Sequence, residues 1–123
     1  MKKSIALACA GLLLATSVLA ADPAVKSVES INKEKAALSG KEIAVQGKVV
    51  KVNNGIMQRN FVHVQDGSGD AASGSNNLII TSKQTAAPGQ TVKVVGKVTL
   101  NRDFGMGYSY PLLIEEGVIT PVQ

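Results

Sequence analysis

Tryptophan is absent from the 123-residue chain, histidine and cysteine occur once each, and the aromatic side chains number four: Phe61, Phe104, Tyr108 and Tyr110. A lone His63 falls short of the four ligands that a structural zinc site normally takes. It also lacks the nucleophile and the orienting acid of a catalytic pair. Asp66 and Asp103 are acids of the right kind, but no spacing joins them to it, so the expectation is a protein that is not an enzyme and carries no metal and no cofactor. Long apolar runs are lacking as well. The longest, residues 5–15, is about half of the roughly 20 residues that a membrane-spanning helix needs.

That run has the neighbours of a secretory leader. Lys2 and Lys3 precede it, and Val18-Leu19-Ala20 sets small residues where a signal peptidase cuts. The expectation is a leader over residues 1–20, cleaved after Ala20 or Ala21, with the remainder periplasmic or secreted and not inserted in the membrane. Cys9 leaves with the leader, since Ala6-Leu7-Ala8-Cys9 comes too early in the run to be a lipid-attachment site. The exported chain would then hold no disulfide, no thiolate metal site and no cysteine nucleophile. Its packing alone must stabilise it.

Charge of one sign is scarce too. The formal net charge is +4, from 13 Lys and Arg against 9 Asp and Glu. Two of the thirteen go with the leader, so eleven oppose nine and the net falls to +2. A balance that small gives no nucleic-acid footprint by itself, because such a footprint needs clustered cations. The remaining residues make one domain, burying roughly 60–70% of its unfolded surface.

What is present is patterned. Asp22-Pro23 reads as an N-cap and first-turn proline, with Val25, Val28 and Ile31 at three-residue spacing, which predicts an N-terminal helix within residues 21–39. From Gly40 onward the apolar period changes to two and predicts five strands: 41–52, 61–65, 77–82, 89–100 and 112–120. On the second strand Val62 and Val64 share one face, and Phe61, His63 and Gln65 the other. The first and fourth strands match at an offset of 49 residues, with Gly40 over Gly89 and Gly47 over Gly96. Two copies do not make a repeat array; they predict two strands with one job, each entered from a glycine turn and bent at a second glycine.

Five short strands with glycine bends describe a small all-β barrel, residues 40–123, with the helix appended. The segments VQGKVVKV, FVHVQDGSGD, NLIIT and GQTVKVVGKV resemble the OB-fold of nucleic-acid-binding domains, the group that includes tRNA anticodon-binding modules. Taken with the leader and the ending DFGMGYSYPLLIEEGVI, the chain is similar to small exported bacterial OB-fold proteins. The family's helix between the third and fourth strands has no counterpart in KQTAAPGQ, and the N-terminal segment is the candidate to close the barrel's bottom in its place.

The resemblance implies a ligand face across the second and third strands, between the loops at 53–60 and 101–111. All four aromatics fall in or beside that region. Phe61, Tyr108 and Tyr110 would stack on bases, and Arg59, Arg102, Lys48 and Lys51 would meet phosphates. His63, Gln65 and Phe104 complete the expected ligand-binding set. A plainer reading stands beside this one: Phe104-Gly105 and Tyr110-Pro111 fold the last loop back onto the barrel, and His63 makes surface hydrogen bonds. Asp66-Gly67-Ser68-Gly69-Asp70 lacks the twelfth-position Glu of a calcium loop, Asn77 standing there, and predicts a hairpin turn. Gly105-Met106-Gly107 supplies flexibility. The partners these features imply are single-stranded nucleic acid or another anionic or carbohydrate chain. An envelope protein, in an interaction or stress-tolerance role, is the alternative.

Overall fold

A computed structural model describes residues 22–122; the expected leader lies outside the described residues. Six strands and two short helices follow in the order β1 (Val25–Lys26), α1 (Val28–Lys33), α2 (Lys35–Leu38), β2 (Glu42–Ile56), β3 (Arg59–Gln65), β4 (Leu78–Ser82), β5 (Thr91–Asp103) and β6 (Ser109–Pro121). Strand neighbours run β1-β2-β3-β4-β6-β5, and β2 also pairs with β5, so the sheet closes on itself as an OB-like barrel. The five predicted strands correspond to β2 through β6.

Closure depends on the bends in β2 and β5. At Gly47 an added Cβ would lie 2.6 Å from Val64 Cγ1 and 2.7 Å from the Gln65 carbonyl oxygen. At Gly96 it would lie 2.6 Å from Ile114 Cγ2 and 3.0 Å from the Glu115 carbonyl oxygen. Strand backbones therefore approach here more closely than any side chain allows. The offset of 49 acquires a spatial meaning, since the two similar strands are antiparallel partners that exchange equivalent contacts. Ile43 faces Gly96 while Gly47 faces Val92. The Gly40 N–H donates to the Val98 carbonyl at 2.8 Å, and the Gly89 N–H donates to the Val49 carbonyl at 2.7 Å.

A bulge at Val50 sets which residues of β2 face out. Val49 pairs with Val64 and Val52 with Val62, whereas Lys48 pairs with Gln65 and Lys51 with His63. The extra residue, Val50, is 43% exposed, and skipping it keeps one valine row inside and the lysines outside.

The N-terminal segment differs from its prediction. Ser27, not Asp22, caps α1, its side chain accepting the Ser30 N–H at 3.0 Å. Asp22 instead pairs with Lys93 at 3.1 Å, and Val25–Lys26 lies parallel to Ala44 and Val45. Six residues are too few to hold a helix unaided. Tertiary contacts supply what is missing: Val28 and Ile31 are fully buried in the barrel core, and the β3–β4 loop covers the helix's free N–H groups. Asp66 accepts the Val28 N–H at 2.9 Å, and Ser68 Oγ accepts the Glu29 N–H at 3.0 Å. The predicted hairpin turn is thus part of a longer loop that caps a helix distant in sequence.

Burial raises the Asp66 pKa, but hydrogen bonds from the Ser68 hydroxyl, the Val28 N–H and the Ser68 N–H together outweigh it, and the net shift is downward. A depressed folded-state value means that Asp66 stabilises the fold above its ordinary pKa of about 3.9 and ceases to as pH falls through the folded value. Asp66→Ala is expected to cost about 0.5–2 kcal/mol at pH 7, in the range of lost helix caps. Urea unfolding followed by circular dichroism should show the two proteins converging as pH falls below that window; a constant difference down to pH 2 would refute the assignment.

Candidate functional site

Two hairpins reach past the barrel on the same side, and both are longer in strand and shorter in loop than expected. The 53–60 loop shrinks to Met57 and Gln58, with φ of 52° and 66°, between the paired Ile56 and Arg59. Positive φ at both central residues is the geometry of a tight hairpin turn that ordinarily takes Asn-Gly, which explains why Met-Gln gave no turn signal. In the second hairpin Arg102 pairs with Tyr110 and Asp103 with Ser109, leaving residues 104–108 as the tip. There the Tyr108 N–H donates to the Gly105 carbonyl, and the Phe104 N–H to the Tyr108 carbonyl.

Three of the four aromatics meet where the β5–β6 hairpin folds onto β3. Phe61 lies 5.8 Å from Phe104, edge to face, and 5.5 Å from Tyr110; Phe104 and Tyr110 are 6.0 Å apart. Both predicted arginines join them. The guanidinium carbons of Arg59 and Arg102 sit 5.0 and 4.3 Å from the Phe104 ring centre, and Arg102 Nε donates to Glu115 at 3.2 Å. Cation–π contacts of this kind contribute about 0.5–1 kcal/mol at exposed sites. Because Arg59 opens β3 and Phe104 caps the other hairpin, their contact ties the two arms together.

Phe61 accordingly differs from its sequence reading. It does lie on the face opposite Val62 and Val64 and outside the main core cluster, yet it is 2% exposed because Phe104 and Tyr110 cover it. The covering hairpin explains the difference, since face alternation alone cannot reveal what a distant loop lays over that face. Tyr108 is 38% exposed and Met106 94%, both in or beside the hairpin tip.

The other predicted residues form a separate polar row. Gln65 Nε2 donates to Asn77 Oδ1 at 3.3 Å, and the Asn77 amide nitrogen approaches His63 Nδ1 at 3.5 Å. An amide nitrogen can only donate, so this contact suits the tautomer in which Nδ1 accepts and Nε2 carries the proton. Burial, and then the nearby Lys51, push the His63 pKa below its usual value, which keeps the ring neutral at pH 7. Lys48 and Lys51 flank this row across the β2–β3 ladder and are exposed. Among the described residues no carboxylate pairs with Lys48, Lys51 or Arg59.

Sequence reasoning overlooked Asn77, which links Gln65 to His63, and the pairing of Glu115 with Arg102. The doublet Glu115-Glu116 inside an otherwise apolar strand, just before Gly117, was the available signal for the second.

No protein-family model and no curated protein matches the chain. Among solved structures its fold is similar to one described as an aspartyl-tRNA synthetase from Leishmania major Friedlin, with a TM-score of 0.54 and 12% identity. The similarity covers 91% of this chain and 23% of that one. At such an identity the likeness shows the fold alone.

Proposed function

We propose that the chain is an exported, non-enzymatic binding module that holds single-stranded nucleic acid, or another anionic chain, along the outer face of β2 and β3. The observation that carries this reading is the line of cations Lys48, Lys51 and Arg59, without a carboxylate partner among the described residues, beside half-buried His63 and Gln65 on an OB-like barrel. Successive outward residues of a strand stand about 6–7 Å apart, so the cations track an extended backbone rather than one compact anion. Tyr110 at the edge of the aromatic cluster and Tyr108 beyond it offer faces for stacking, which is worth about 1–3 kcal/mol per base.

Protein recovered from the periplasm, with its first residue read as Ala21 or Asp22, is titrated by fluorescence anisotropy against a labelled oligothymidylate at rising salt. About three phosphate contacts on a single strand give a log–log salt slope near −2, and Lys51→Ala should reduce that slope by roughly 0.7. Absence of binding, or binding indifferent to salt, would reject the reading. It would favour a protein partner gripped by the exposed Met106 and Tyr108 of the hairpin tip, since aromatic and Met side chains are enriched in interface cores.

A further inference from the structure

Beside the aromatic cluster, at the Arg59 end of that face, a cleft of about 250 Å³ opens between the two hairpins and the end of β4; Arg59, Thr81, Lys83, Arg102, Glu115 and Glu116 line it. Sites for drug-sized ligands run from about 300 to 1,000 Å³, so this cleft suits one flat ring system and not a paired helix.

Its charged groups have different commitments. Arg102 is clamped, its guanidinium against the Phe104 ring and its Nε on Glu115. Arg59 rests over the same ring and donates to the Met57 carbonyl at 3.4 Å, which leaves most of its N–H donors free. Glu116 has no cationic partner among the described residues. Its backbone is the unusual one in β6: φ is 55° in mid-strand, at the bulge where Val95 pairs with Val118 and Lys97 with Glu115. A bulge residue of that conformation is ordinarily glycine. A strained side chain kept on the wall of a cleft is a pointer to its use.

A simple oxyanion fits this wall poorly, because acceptors line it as well as donors. The wall suits a ring with an acceptor edge and a donor edge. Guanine presents O6 and N7 as paired acceptors, which a guanidinium fork meets with two parallel bonds, and N1–H and N2–H as paired donors, which a carboxylate meets in the same way. Adenine sets the N6 amino donor beside N7, so one arm of the fork would face another donor. Cytosine can give N4–H to a carboxylate but lacks the O6/N7 pair.

The geometry points to a guanine-selective base pocket: Arg59 reads O6 and N7, Glu116 accepts from N1–H and N2–H, and the clamped guanidinium of Arg102 is the plane on which the base stacks. This assignment rests on the nucleic-acid reading above and refines it, since a strand lying along β2 and β3 would turn one base into the cleft.

The test uses octathymidylate and its three variants carrying one central G, A or C, titrated by anisotropy, with GMP and AMP titrated separately by calorimetry. The G-containing strand should bind about tenfold or more tighter than the other three. Glu116→Gln should remove that preference, so that the G-containing strand binds no tighter than plain octathymidylate to the same variant, and leave Tm unchanged. Equal binding of all four strands overturns the pocket while the proposed function survives. If no strand binds, the proposed function fails and the nucleotides decide: GMP bound in preference to AMP and lost in Glu116→Gln sustains the pocket, and no GMP binding overturns it.

Discussion

Replacing Phe61 with alanine is expected to lower the unfolding free energy by about 3–5 kcal/mol, the usual cost of emptying a buried phenylalanine site. The ring is 2% exposed and touches Phe104 and Tyr110, with centroids 5.8 and 5.5 Å away. Each aromatic pair adds about 0.5–1.5 kcal/mol beyond the area it buries. Removing Phe61 also takes the floor from under Phe104, on which Arg59 and Arg102 rest. The loss therefore spreads to the contact that joins the two hairpins. Urea unfolding followed by circular dichroism measures it, with Tyr108→Ala as a comparison that should fall within about ±0.5 kcal/mol because its ring is outside the cluster. A loss below about 1 kcal/mol for Phe61→Ala would mean that the hairpin stands away from β3 in solution and that Phe61 is free to stack on a base. Conversely, a large loss makes Phe61→Ala a poor probe of binding, and Lys51→Ala or Glu116→Gln the better ones.

The contrast between Phe61 and Val62 shows what sequence can reveal in this chain. Alternation assigned the two residues to opposite faces of β3 correctly, because strand geometry is local and has a period of two. It could not show that a hairpin beginning some forty residues later would lie on the outer face. The same division holds elsewhere. Strands β2 to β6 were readable from valine and isoleucine periodicity, and the matched glycines of β2 and β5 from their spacing, since both follow from neighbouring residues. Ser27 as the cap of α1 was masked by a stronger local signal, Asp22-Pro23, which the fold uses for an ion pair with Lys93. The second half of that cap, Asp66 and Ser68, lies some forty residues away and has no local signature. Glu115 and Glu116 were visible as polar residues out of phase in an apolar strand. Their roles required knowing that β6 bulges at Glu116 and that Arg102 reaches across to Glu115.

Gly47→Ala is expected to destabilise the protein by about 2–3 kcal/mol, which for a domain of this size is roughly 10–20 °C in Tm. The new methyl would sit 2.7 Å from the Gln65 carbonyl oxygen, and backbone cannot yield there without disturbing the Lys48–Gln65 pair. At Gly55 the comparison reverses. Its φ of 73° strains any side chain, but no atom lies within 4 Å of the added Cβ. That change should cost only about 1–2 kcal/mol. Thermal unfolding of the two variants separates close approach from backbone strain; a Gly47→Ala protein that melts with the wild type would show that β2 and β3 do not cross so tightly. The consequence reaches the interface, because the bend at Gly47 directs the second half of β2 away from β5 and along β3. Lys48 and Lys51 are carried on that half, opposite Gln65 and His63. A variant that folds with a relaxed bend should therefore bind a single strand more weakly and with a shallower salt slope, although it keeps every charge the wild type has.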